Sequence, residues 1–160
     1  MKKSKDEIVL MLETYRSKKR RIKQLEFELL NPAQVTEAEL IRAMAIGGST
    51  YDTTQRNTSG NTMSVAANYC DISEQMNNEA VAQIKRELDI LVRETSKLEY
   101  YVGLLDTTQA QMIRLRDFDG KPWSEIEITS DASERRLREQ RHKGIASLAV
   151  MYGYIEDFIQ

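Results

Sequence analysis

The stretch VAQIKRELDILVRETSKLEYYVGLL, residues 81–105, carries the longest regular pattern of apolar residues in the chain. Its apolar positions alternate between spacings of three and four residues: Val81, Ile84, Leu88, Leu91, Leu98, Val102 and Leu105. Only Thr95 interrupts the pattern. This spacing places apolar side chains along one stripe of a helix, as in a coiled-coil seam. We therefore predict one helix of about 25 residues or more, a long coiled-coil-type helix over residues 63–104.

A second seam lies near the N-terminus, in residues 4–30. Its apolar or aromatic positions are Ile8, Met11, Tyr15, Ile22, Leu25 and Leu29. Asn31-Pro32 should end this helix, because proline has no backbone N–H and disfavours the helical conformation in the residue before it. The partner of the long helix could be this first helix, folded back as an antiparallel hairpin, or the same helix of a second subunit, and both pairings can hold at once. In the hairpin, the polar interruptions Lys18 and Thr95 can lie opposite each other.

The segment between the two seams is predicted to hold a short helix and a polar loop. Residues 36–39 have the spacing of a capping box and precede a short apolar face. From Gly47 to Thr62 the only large apolar side chain is Tyr51, which predicts a flexible polar loop at 47–62, with an ordered binding loop as the alternative. The predicted organisation is an N-terminal helical arm at 1–46, this loop, the long helix at 63–104 and a C-terminal domain at 105–160.

The composition excludes several classes of protein. With 41% hydrophobic and 30% charged residues but only 7 Gly and 2 Pro in 160, the chain is typical of a soluble, helix-rich protein. The net charge of -2 provides no global attraction to nucleic acid, so any such attraction must be local. The lone Cys70 and lone His142 exclude an internal disulfide and a conventional zinc site. We expect a cytoplasmic protein of a bacterial or phage-infected cell, with no membrane span, no cofactor and no enzymatic activity.

The C-terminal segment predicts three helices separated by turns. Thr108 begins the first at a capping-box spacing, and Asp119-Gly120 ends it. Pro122 suits the first position of the second helix. Trp123 and Ile126 share one face of that helix, which indicates core positions and not an exposed stacking platform.

The third helix combines an apolar face with a dense basic face. Ser130-Asp131-Ala132 separates it from the second helix, and Ser133 is a good N-cap. The residues that can face inward are Leu137, Gly144, Ile145 and Leu148, and those expected to project are Arg135, Arg136, Arg138, Arg141 and Lys143. A short helix, a tight turn and a basic helix come in the order of a helix-turn-helix, whose second helix enters the major groove of DNA.

These residues also resemble a known family. The segments LDTTQAQMIRLR (105–116), GKPWSEI (120–126) and SERRLR (133–138) are similar to region 4 of sigma factors. More narrowly, they resemble phage late-gene transcriptional regulators of the ArpU and RinA kind, in which a helical N-terminal part precedes a C-terminal helix-turn-helix. The resemblance implies an all-α, sequence-specific regulator of phage or prophage genes that binds double-stranded DNA, with RNA polymerase as a further candidate partner. The 81–105 seam adds the expectation of a homodimer.

The resemblance also implies roles for individual residues of the third helix. The base-facing residues would be Glu134, Arg135, Arg138 and Glu139, and those nearer the phosphates would be Arg136, Arg141 and Lys143. The chain departs from the family pattern at Glu127, where a small buried residue is usual, and at Asp131, where the turn glycine is usual. Aspartate tolerates a left-handed backbone better than most residues, so the turn can form.

Two other functions stay open on the sequence. A phage DNA-packaging protein of the small terminase kind also joins a helix-turn-helix to helical oligomerisation segments, but it would form large closed rings, whereas a regulator should be a dimer or smaller. A helical interaction protein would bind RNA polymerase or a host factor through its N-terminal arm. The basic run at 18–23 is more typical of a solvated helix face than of a contact with DNA phosphates or an acidic protein.

Overall fold

The computed structural model of the chain describes residues 3–31, Glu39, Arg42 and 61–156. All regular structure in these residues is helical, which confirms the predicted all-α class. The elements are α1 (Lys5–Leu30), α2 (Asn61–Gly103), α3 (Thr107–Ile113) with a π-helical turn (Arg114–Phe118), α4 (Trp123–Ser130) and α5 (Glu134–Glu156). None of the helices in these ranges is long and apolar enough to cross a membrane.

Two predicted features lie almost entirely outside the described residues: the short helix after Thr36 and the polar loop at 47–62. Glu39 and Arg42 are helical. Asn61 and Thr62, which we assigned to the loop, are the first residues of α2. That helix therefore covers 61–103, against the 63–104 predicted.

The chain divides into two compact units, residues 1–23 with 89–160 and residues 24–88. In the second unit, Leu25 is buried. The residues of the α2 seam that belong to this unit are half-buried: Val81, Ile84 and Leu88. Helix α1 ends here at Leu30, as the Asn31-Pro32 signal predicted.

Within the first unit, α1 and α2 lie side by side and run in opposite directions. Lys18 Nζ donates to Glu94 Oε2 at 2.8 Å, and the Tyr15 hydroxyl donates to Glu99 Oε1 at 2.6 Å, so earlier residues of α1 meet later residues of α2. Lys18 and Thr95 line the same small cavity. The hairpin alternative is therefore the one observed, and its two polar interruptions face each other as predicted.

The main core of the first unit lies where α1, α2, α3 and α5 meet. Its completely buried residues include Ile8, Val102, Ile113 and Leu148. Leu12 is buried in α1 where we predicted Met11, which is half-buried. Both choices fit a helical spacing from Ile8, so the pattern alone does not distinguish them.

Two helix starts differ from their predictions. Helix α3 begins earlier than predicted, with Asp106 as N-cap and no side-chain cap bond, so Thr108 lies inside the helix and the predicted capping box is wrong. Helix α4 has Pro122 as N-cap and not as first residue, because its ψ of 153° is extended. The Pro122 carbonyl accepts from the N–H groups of Glu125 and Ile126 at 3.1 and 3.2 Å and so begins the helix.

Candidate nucleic-acid interface

A small separate core holds α4 against the start of α5. It consists of Met112, Trp123, Ile126 and Leu137. The prediction that Trp123 and Ile126 are core residues is confirmed, since they are 9% and 0% exposed. Leu137 is 3% exposed, so the first turns of α5 are fixed on α4 by a buried leucine.

The turn between α4 and α5 depends on a left-handed residue. Helix α4 ends at Ser130, and Asp131 comes next with φ 50° and ψ 39°. In the described ranges Asp131 is the one residue other than glycine with positive φ. Aspartate thus takes the place of the turn glycine that the resemblance led us to expect, because its short polar side chain tolerates this conformation.

Glu127 caps the N-terminus of α5. Its Oε1 accepts a hydrogen bond from the Glu134 N–H at 2.8 Å. The first N–H groups of a helix lack partners within it, and a carboxylate there also interacts favourably with the helix dipole. The departure from the family pattern at Glu127 therefore has a structural role, which no local sequence signal revealed because the acceptor precedes the helix by seven residues.

The four residues predicted to face DNA bases lie together near the start of α5. With His142 and Lys143 they line one shallow depression: Glu134, Arg135, Arg138 and Glu139. Each arginine pairs with a glutamate one turn away, Arg138 Nε with Glu134 Oε1 at 2.7 Å and Arg135 Nε with Glu139 Oε1 at 3.7 Å. Such exposed pairs contribute only about 0.3–0.5 kcal/mol, so a ligand could replace them.

The three residues predicted to lie near phosphates separate into two groups. Arg136 and Lys143 are exposed, as expected. Arg141 is turned inward, so the prediction that it projects is wrong. Its Nε and Nη2 donate to the two carboxylate oxygens of Asp117 at 2.9 and 2.7 Å. These hydrogen bonds raise the pKa of Arg141 above its ordinary value, against the effect of burial. A nearly buried carboxylate needs such a partner.

The π-helical turn after α3 brings Asp117 to this position. The Asp119 N–H bonds to the Arg114 carbonyl at 2.8 Å, five residues back, where an α-helix would bond four residues back. Gly120 comes next with φ 71°, which favours glycine, and ends the turn. The predicted end of this helix at Asp119-Gly120 is confirmed, but nothing in the sequence predicted the wider turn.

Two guanidinium groups lie over the ring of Trp123. The central carbons of Arg116 and Arg138 are 5.3 and 5.2 Å from its ring centroid, within the range of cation–π attraction. Arg138 is therefore oriented from two sides, by the ring and by Glu134. This makes it the more rigid of the two candidate base-reading arginines.

In the part of the chain that the structure describes, no three His, Cys, Asp or Glu side chains could together hold a metal ion. The chain matches no family model, no curated protein and no solved structure. The function therefore has to be argued from the geometry of α4, the turn and α5.

Proposed function

We propose that the protein is a sequence-specific DNA-binding regulator of transcription, acting on phage or prophage late genes in the cytoplasm of a bacterial cell. The observation that carries this proposal is the geometry at Asp131. A short helix, a left-handed turn and a long helix with an exposed basic start are packed on one small core. That order supports a helix-turn-helix, in which the start of the second helix enters the major groove.

The charge on α5 supports attraction to the DNA backbone. Five of the residues from 133 to 143 are Lys or Arg and two are Glu. Arg141 is neutralised by Asp117, so the candidates for phosphate contact are now Arg136 and Lys143. Neither has a charged partner among the described residues. Contacts of this kind dominate affinity and make it fall with salt concentration.

Base preference would come from Arg135 and Arg138. The Arg135 side chain is 91% exposed and its pair with Glu139 is long, which leaves its guanidinium free to reach a base. Arg138 is held by Trp123 and Glu134 and offers an oriented guanidinium. An arginine can bond the O6 and N7 atoms of guanine with two parallel hydrogen bonds.

Dimerisation is a further part of the proposal. The seam of α2 leaves Val81, Ile84 and Leu88 only half-buried, and a second copy could cover them. A dimer would also carry two α5 helices. Sedimentation that gives a monomer at high micromolar concentration would contradict this part, and a large closed ring would instead favour the packaging function.

The test is salt-dependent binding to a duplex site selected from random sequences. We expect Arg135→Ala and Arg138→Ala each to weaken binding to the selected site by about 1–3 kcal/mol and to relax its sequence preference. Arg93→Ala is the control, because Arg93 is an exposed arginine of α2 that lies outside this surface.

Two outcomes would count against the proposal. If a variant with both Arg135→Ala and Arg138→Ala binds the selected duplex as well as Arg93→Ala does, α5 does not read DNA. If the wild-type chain binds no duplex at low salt, the interaction function through the N-terminal arm becomes the better explanation.

A further inference from the structure

A cleft of about 460 Å³ lies in the first unit beside the exposed face of α5. It is bordered by α1, the π-helical turn, α4 and α5, which bring residues from distant parts of the sequence together. Its basic lining residues are Arg16, Arg116, Arg138, Arg141 and His142. We call it the arginine cleft. It adjoins the proposed DNA surface, because Arg138 and His142 line both.

The arginine cleft has an excess of positive charge. Four guanidinium groups face two carboxylates, those of Glu13 and Asp117. Both oxygens of Asp117 are bonded to Arg141. Over the four arginines and two carboxylates of the lining the formal excess is two positive charges, of which that of Arg138 is shared with Glu134 outside the cleft lining.

Arg16 is the residue that sets this cleft apart. Its guanidinium has no hydrogen bond or ion pair with any residue that the structure describes. It packs directly against Gly120, so closely that a β-carbon at position 120 would collide with it. Gly120 thus leaves room for the Arg16 guanidinium at the edge of the cleft. A cation that lines a cleft and has no acceptor among the described residues is suited to bind an anion.

The side chains of Arg116 and Arg138 in the cleft wall are also oriented by contacts within the protein. Arg116 and Arg138 both lie against the ring of Trp123, and Arg116 Nη1 is fixed by a hydrogen bond to the Lys121 carbonyl at 3.0 Å. Arg116 keeps further N–H groups that this bond does not use, since arginine has five donors. Arg138 already directs its Nε and Nη2 to Glu134. Donors from several directions suit the tetrahedral oxygens of phosphate better than a planar carboxylate.

We propose that the arginine cleft binds a phosphate group, with Arg16 and Arg116 as its hydrogen-bond donors and the positive charge of Arg138 beside them. The group is either free inorganic phosphate or a backbone phosphate of bound DNA. The second source rests on the proposed function, and the first does not. In the second case the N-terminal arm, through Arg16, takes part directly in DNA binding.

The first experiment uses Trp123, the only tryptophan of the chain, as a reporter in the cleft wall. The full-length chain is titrated with sodium phosphate, with sodium chloride of equal ionic strength as reference, while tryptophan fluorescence is recorded.

Arg16→Gln is compared with Arg20→Gln, a matched control because Arg20 is an exposed arginine one turn further along α1 and outside the cleft. We expect a saturable change in wild type and Arg20→Gln, weakened at least tenfold in Arg16→Gln. Arg16→Lys, which keeps the charge but not the planar group, should be intermediate.

The second experiment measures duplex binding as a function of salt for the same variants. If the phosphate belongs to DNA, Arg16→Gln should lower the slope of log affinity against log salt by about one, and Arg20→Gln should not. A specific effect of Arg16→Gln in either experiment supports the proposal and identifies the source of the phosphate. Equal behaviour of Arg16→Gln and Arg20→Gln in both overturns it. If no duplex binds, the proposed function fails and the fluorescence titration alone decides the cleft.

Discussion

Arg141 and Asp117 join α5 to the π-helical turn through two parallel hydrogen bonds, with Nε–Oδ2 and Nη2–Oδ1 distances of 2.9 and 2.7 Å. The side chains are 21% and 6% exposed, so the carboxylate is almost completely removed from water. By its position in the sequence Arg141 was a candidate for contact with DNA. Its geometry makes it a structural link, because moving it to a phosphate would leave Asp117 charged and unpaired.

We therefore expect Arg141→Gln to destabilise the protein by about 2–3 kcal/mol. This is at or below the low end of the loss that follows when one partner of a buried ion pair is removed, because Arg141 is partly exposed. Urea unfolding monitored by circular dichroism measures this. Arg136→Gln, an exposed arginine of the same helix, should change stability by less than about 0.5 kcal/mol. In the Asp117→Asn/Arg141→Gln double variant the loss should be smaller than the sum of the two single losses. Equal stability of Arg141→Gln and Arg136→Gln would contradict the role of the pair.

Gly120 and Gly103 provide a second matched comparison. At Gly120 the left-handed backbone, with φ 71°, opposes a β-carbon, so Gly120→Ala should destabilise by about 1–2 kcal/mol. Gly103 ends α2, and a β-carbon there would meet only Arg114 Nη2, at an ordinary contact distance of 3.7 Å. Gly103→Ala should therefore be neutral or slightly stabilising. Thermal unfolding of both variants checks the difference, and a similar loss in both would show that the turn geometry is not responsible.

The contact between Tyr15 and Glu99 predicts a dependence of stability on pH. Burial alone would raise the pKa of Glu99, but hydrogen bonds from Tyr15 and Lys19 outweigh it and hold the pKa below its ordinary value of 4.5. A carboxyl whose pKa is lower in the folded state stabilises that state above its unfolded pKa, and this contribution disappears as the pH falls through the folded pKa.

Tyr15→Phe removes only the hydroxyl of this contact. We expect it to lower the melting temperature clearly at pH 7, and this loss should shrink as the pH falls through the lowered pKa of Glu99. Tyr100→Phe is the control, because Tyr100 is 66% exposed, and its effect should be small over the whole pH range. A loss for Tyr15→Phe that does not change with pH would mean that the charge of Glu99 is not involved.

The cap of α5 can be tested by comparing two glutamates of α4. Glu127→Ala removes the acceptor of the Glu134 N–H, and loss of an N-terminal cap costs about 1 kcal/mol. Glu125→Ala loses only an exposed pair with Lys121 at 3.3 Å, which contributes about 0.3–0.5 kcal/mol. Urea unfolding should rank the two losses in this order. The reverse order would indicate that Glu127 does not cap the helix.

The sequence predicted those features that depend on neighbouring residues. The end of α1 at Asn31-Pro32 results from the chemistry of proline, and the burial of Trp123 and Ile126 results from their spacing. The left-handed turn at Asp131 was expected from the resemblance, which has a turn glycine there, and aspartate tolerates that backbone. The first two inferences use only a few consecutive residues, and local physics is sufficient for them.

The features that the sequence did not predict depend on distant residues or on hydrogen bonds within a helix. The choice of Leu12 over Met11 depends on which face α2 covers, since both residues fit the pattern. Arg141 looked like another projecting arginine because its partner, Asp117, lies on a different element. Arg16 reaches the arginine cleft only after the hairpin has formed, so no local pattern indicated its position.

The π-helical turn at 114–118 contains one residue more than an α-helical turn needs. Deleting a single residue there would restore ordinary helical register and rotate the next residues of the helix by about 100°, which would carry Asp117 away from Arg141. In alignments of chains of this kind, a one-residue gap in this segment would therefore not be a neutral length difference. It would mark chains that lack the link to α5. In those chains the arginine equivalent to Arg141 would have no buried carboxylate to pair with and could point toward solvent or DNA.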